Sequence, residues 1–115
     1  MTTTLHNPDG TPIATGAGTL ALGSYADGSP ALLAIPADSQ AAPQPISVNL
    51  AGWFGLTPGD KTWIPESQEQ AIAPLVAAGQ LTPEDAIPTA RYGIQGRCAA
   101  SLYTISPALL DQAHA

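Results

Sequence analysis

Proline constrains this chain more than any other residue. It stands at positions 8, 12, 30, 36, 43, 45, 58, 65, 74, 83, 88 and 107. Each proline removes a backbone donor, and inside a helix it costs about 3 kcal/mol. The longest proline-free stretch, Thr89 to Ser106, is itself interrupted by Gly93 and Gly96. Eleven glycines join the 12 prolines, so a bundle of long helices does not fit, and short elements with many turns are expected. At 115 residues the chain reads as one small α+β domain, residues 1–115. Such a chain can bury about two-thirds of its unfolded surface.

The densest apolar content lies between Leu20 and Leu50. Leu20 to Tyr25 and Ala31 to Ile35 read as strands joined by the hairpin signal Asp27-Gly28, with Pro30 at a strand start. Pro36 to Pro45 reads as a loop. Ile46, Val48 and Leu50 alternate with Ser47 and Asn49, which predicts a strand with one buried face. Leu22, Leu33, Val48 and Leu50 are the expected core of this antiparallel meander. Ahead of it, Asn7-Pro8-Asp9-Gly10 predicts a turn between Thr2–His6 and Thr11–Thr15. That hairpin, within residues 1–18, is thin in large apolar side chains and is expected to be peripheral, with Gly16 and Gly18 loosening its link to the sheet.

Beyond the meander, Gly52 and Gly55 bracket Trp53 and Phe54. Trp53 is expected to be the more exposed of the two and a candidate interface anchor. Thr57-Pro58-Gly59-Asp60 reads as a turn, and Lys61 to Ile64 as a short strand carrying Trp63. Glu66 opens a helix that ends at Gly79, with Ile72, Leu75 and Val76 at helical spacing. Pro74 is expected to kink it or to open a second helix. Thr82-Pro83-Glu84-Asp85 carries a helix-start signature. Thr89–Ile94 and Arg97–Ile105 predict two strands joined at Gln95-Gly96, or one strand with a bulge. Ser106-Pro107 predicts a short C-terminal helix. The expected fold is α+β: a small antiparallel β-sheet (meander), extended by the 89–105 strands, with one short helix packed on it and a short C-terminal helix.

Nine acidic residues against Lys61, Arg91 and Arg97 leave a net charge of −6. Three cations cannot line a phosphate backbone, so direct nucleic-acid binding is not expected. The acids read as solubility charges at turns and helix starts. Cys98 is the only cysteine, which rules out an internal disulfide and suggests a reducing compartment. It is expected to be buried and inert. No apolar run reaches the ~20 residues of a membrane span, and the N-terminus has no secretory pattern. His6 and His114 lie near the termini, where a catalytic group is poorly held. No zinc, calcium or phosphate-loop spacing occurs, so neither a metal nor a cofactor is expected and the chain is read as non-enzymatic. Arg91 and Arg97 flank the Gly93–Gly96 stretch as candidate partner-binding residues, with Arg91 expected to pair with a nearby acid.

The second half also resembles a known family. Ser47-Val48-Asn49-Leu50, the Leu-Thr-Pro-Gly turn at Leu56 to Gly59, Trp63-Ile64 before an acidic helix, Leu75 to Gly79, and Arg91-Tyr92-Gly93-Ile94-Gln95-Gly96-Arg97-Cys98 with Tyr103 follow one order. They resemble a family of small uncharacterised proteins (domain of unknown function) encoded on phages, plasmids and conjugative elements. Its members carry a strand ending in Val-Asn-Leu, a short helix with an Ala-Gly-like end and an Arg-x-Gly-x-x-Gly stretch. The likeness covers residues 20–105. It implies a non-enzymatic binding protein of a mobile element in the cytoplasm of a host bacterium, such as an inhibitor of a host defence complex of the anti-CRISPR or anti-restriction type. The partner would be a host protein, for instance a defence nuclease complex, with no membrane involved and the chain a monomer or homodimer. The alternative is an auxiliary or structural mobile-element protein that self-assembles through a sheet edge. Trp53, Phe54, Arg91 and Arg97 are the partner-binding candidates.

Overall fold

A computed structural model describes residues 3–15, 18–25, 29–37, 42–50, 60–84, 87 and 89–114, with the backbone alone at 113 and 114. The α+β class with a short helix and a short C-terminal helix is what it shows. Among the described residues the strands divide into two antiparallel sheets. The first holds β1 (Thr3–Thr4), β2 (Ala14–Thr15), β3 (Gly18–Ser24), β4 (Pro30–Ile35) and β5 (Gln44–Pro45). The second holds β6 (Lys61–Pro65), β7 (Leu81–Pro83), β8 (Ala90–Tyr92) and β9 (Cys98–Ile105). A 3-10 turn (Glu66–Gln68) leads into α1 (Glu69–Ala77), and α2 (Pro107–His114) closes the chain.

The N-terminal turn forms as its residues dictate. The Gly10 amide donates to the Asn7 carbonyl, and the Asp9 carboxylate accepts from the Thr11 amide at 2.9 Å and its hydroxyl at 2.6 Å. The hairpin is not peripheral, however. Its arms part and pair with the same edge of β3: Thr3 opposite Leu22, and Ala14 opposite Thr19. At the fork the Leu5 amide donates to Leu20, Leu20 donates to Ile13, and Ile13 donates to Leu5. This ring of three backbone bonds places Leu5, Ile13 and Leu20 in the core. Two apolar side chains suffice to anchor the hairpin because the backbone closes around them. Gly18, expected to loosen this link, instead permits it. Its φ is +145°, and a Cβ there would lie 2.3 Å from the Ile35 carbonyl oxygen.

In β4 the fully buried positions are Leu32 and Ala34, so Leu33 faces the opposite side and is half-buried. The expectation for Leu33 was one step out of phase. The Asp27-Gly28 turn lies outside the described residues. The β3–β4 register runs from Thr19 opposite Ile35 to Ser24 opposite Pro30.

The segment 46–50 is not the regular strand that its alternation predicts. The amides of Ile46 and Ser47 both donate to the Leu32 carbonyl in the first sheet, whereas the Val48 amide donates to the Trp63 carbonyl in the second. The chain crosses between sheets here. Ile46 enters the core between them, Leu50 enters a cluster on the far face of the second sheet, and Val48 lies half-buried in passage. Ser47, expected outside, is buried. Its hydroxyl oxygen accepts from the Leu32 amide at 2.9 Å and bonds the Tyr25 hydroxyl at 2.7 Å.

Between the sheets, Leu20, Leu22 and Leu32 meet Ile64, Tyr103 and Ile105, closed over by Ile72 and Leu75 of α1 and Leu109 of α2. Thr62 also reaches across, donating to the Pro30 carbonyl at 3.5 Å. The helix α1 runs through Pro74 without breaking. It ends in a Schellman motif, with Gly79 (φ +75°) donating to Val76 and Gln80 donating to Leu75. The chain then passes directly into β7, so the helix start expected at Thr82-Pro83 does not form. Pairing with β9 outweighs that local signal, and Pro83 is tolerated because β7 is an edge strand. The C-terminal helix docks through Gln112, whose amide bonds both backbone groups of His6, at 2.8 and 2.9 Å.

Candidate functional site

The β8–β9 hairpin projects from the second sheet. Its register sets Ala90 opposite Ala100, Arg91 opposite Ala99 and Tyr92 opposite Cys98. Strand alternation turns Ala90 into the far-face cluster with Trp63, Ala100 and Leu102, and leaves Arg91 exposed. The connecting turn uses three left-handed residues: Gly93 (φ 78°), Gln95 (φ 58°) and Gly96 (φ 64°). Two backbone bonds of 3.3 Å brace it, Gly96 to Gly93 and Arg97 to Ile94. At Gly93 a Cβ would sit 3.2 Å from the Cys98 sulfur, so glycine is needed there for both its φ and its absent side chain.

This turn drives Ile94 outward. It is 82% exposed, against 44% for Ile87. Arg91 and Arg97 are exposed on either side of it. Among the described residues neither joins an ion pair. The Arg97 guanidinium meets the neutral Gln95 side-chain oxygen at 3.3 Å. The acid expected to pair with Arg91 is thus not found among them. The third cation, Lys61, is engaged: its ammonium lies 3.0 Å from Glu84 and 2.8 Å from the Thr104 hydroxyl, which also donates to Glu84.

A cleft of about 260 Å³ opens between the hairpin and the 3-10 turn, lined by Glu66, Ser67, Tyr92, Arg97, Cys98 and their neighbours. Cys98 is a free thiol and exposed, contrary to expectation. β6 pairs β9 only from Ala100 onward, so among the described residues no strand pairs with Cys98 on that edge of β9. Burial, and then the adjacent Cys98, push the Tyr92 phenol above its ordinary value. A second groove, of about 600 Å³, runs between His6–Pro8, the end of α1 and α2.

Trp53 and Phe54 lie outside the described residues. Of the sequence candidates, the structure brings Arg91 and Arg97 onto one hairpin and adds Ile94, which sequence reasoning passed over. The signal was present: a lone large aliphatic residue between two turn glycines has no strand or helix face to bury it. Among the described residues no three of His, Cys, Asp and Glu gather so as to hold a metal, and no described helix is long and apolar enough to cross a membrane. The chain matches no family model, no curated protein and no solved structure.

Proposed function

We propose that this chain is a non-enzymatic binding protein of a mobile genetic element that acts by occupying a host protein, a defence complex in particular, and that the 91–98 hairpin is its contact. The observation that carries the contact is Ile94, 82% exposed at the tip of a braced turn. Leaving such a side chain in water forgoes about 1.5–3 kcal/mol relative to burial. A stiff, pre-formed support lowers the cost of ordering when a partner arrives. Arginine is among the residue types that dominate interface energies, and two flank Ile94. The choice of a mobile-element inhibitor rests on the family likeness across residues 20–105 and on the acidic balance of the chain.

Self-assembly through a sheet edge has less support. The long strands β3, β4 and β9 each pair on both edges. The test is to express the full chain in bacteria carrying an active CRISPR or restriction system and to count plasmid or phage survival. Survival should rise with the wild-type chain and return to background with Ile94→Asp, a variant expected to melt as wild type does. No rise against a panel of such systems overturns the inhibitor, and an Ile94→Asp chain as active as wild type overturns the hairpin.

A further inference from the structure

Resting on the reading of the 91–98 hairpin as the contact, we infer that what it contacts is an acidic protein surface: an apolar hollow that takes Ile94, with carboxylates on either side for Arg91 and Arg97. The chain holds nine acidic residues and three basic ones. One of the three, Lys61, is neutralised by Glu84 at 3.0 Å. The other two both lie on this hairpin, one on each side of its exposed tip. Neither guanidinium meets a carboxylate among the described residues, and the Gln95 oxygen beside Arg97 orients that group without neutralising it. A guanidinium in this state is matched by a carboxylate, which it binds through two parallel hydrogen bonds. The hairpin is therefore a positive, apolar-tipped projection on a chain of net charge −6. An acidic partner is attracted there and repelled elsewhere, which fixes its orientation.

A nucleic acid is also an anion, but it fits these residues less well. Two arginines neutralise far fewer phosphates than the roughly 6–10 that sustain ordinary duplex binding. A phosphate backbone also offers nothing to Ile94. An apolar wedge entering a minor groove would use the same residues, so duplex DNA belongs in the test.

The full chain is panned against a random-peptide display library, and a random-sequence DNA duplex is titrated in parallel. Enriched peptides should carry Asp or Glu around an apolar residue. They should bind at least tenfold more weakly to both Ile94→Asp and the Arg91→Glu/Arg97→Glu double variant, and more weakly as salt rises. Peptides lost with Ile94→Asp but indifferent to the charge reversal overturn the acidic partner and leave the hairpin contact standing. Peptides indifferent to both variants overturn both. No enrichment overturns the acidic peptide surface, and so does duplex binding that both variants abolish. All the substituted side chains are exposed, and an unchanged melting curve for each variant shows that the fold is retained.

Discussion

Glu84 shows how much a single side chain depends on partners distant in the chain. The Thr104 hydroxyl, and then the Lys61 ammonium, hold its carboxyl below the ordinary glutamate value of 4.5. The Thr11 hydroxyl, and then the Thr11 amide, do the same for Asp9, below 3.8. A carboxyl whose folded pKa is depressed stabilises the fold fully above its unfolded value, and that contribution is lost as pH falls through the folded one. Between neutral pH and the ordinary carboxylate range these two groups therefore contribute a constant amount, and the loss begins only below it. In urea melts, Glu84→Gln should lower the midpoint at neutral pH. The gap to wild type should then close as the solution is made more acidic. A gap that stays constant down the acid limb would show that the Lys61–Thr104 contacts do not set the Glu84 proton affinity. The Glu84 contacts were not legible in the sequence. Glu84 there belongs to a helix-start signature, and its partners lie 23 and 20 positions away.

At the scale of elements, local chemistry and tertiary pairing divide cleanly. The Asn7–Gly10 turn, the stop at Gly79 and the hairpin over 90–105 were legible because each is decided by residues within a few positions of one another. Ser47 was not. Its place in an alternating Ile-Ser-Val-Asn-Leu pattern assigns it to solvent, yet it stands in for a strand neighbour by accepting the Leu32 amide. Ser47→Ala leaves that buried amide without this acceptor and should cost about 1–3 kcal/mol. The denaturant midpoint reads the cost, and amide exchange at Leu32 should quicken beyond that of its neighbours on β4. A midpoint within error of wild type would mean that the backbone closes the gap unaided. The hairpin tip is an intermediate case. Its glycines and arginines were readable as a turn with charge, but the outward aim of Ile94 follows from the left-handed residues on either side of it, Gly93 before and Gln95 and Gly96 after, and of these Gln95 carries no glycine signal.

At the scale of the whole molecule, the crossing at residues 46–48 makes one core out of two sheets. It ties β4 to β6 with a bond on each side, from Ile46 to Leu32 and from Val48 to Trp63, both near 2.9 Å. Val48→Pro removes the second donor, and the two sheets should then lose part of their cooperativity. Hydrogen exchange should report different opening free energies for β3–β4 and for β6–β9, where the wild type is expected to report one. Equal protection in the variant would place the coupling in the shared core side chains instead. By itself the sequence determined the fold class, the shortness of the described elements, the Asn7–Gly10 turn and the hairpin that carries Arg91 and Arg97, because proline, glycine and alternation act over a few residues. Only the tertiary structure decided that the strands split into two sheets, that the N-terminal hairpin is clamped by Leu5, Ile13 and Gln112, and that Cys98 faces water while Ser47 does not. Those outcomes depend on which strand edge or side chain arrives from far along the chain to satisfy a backbone group, and no local pattern encodes the partner.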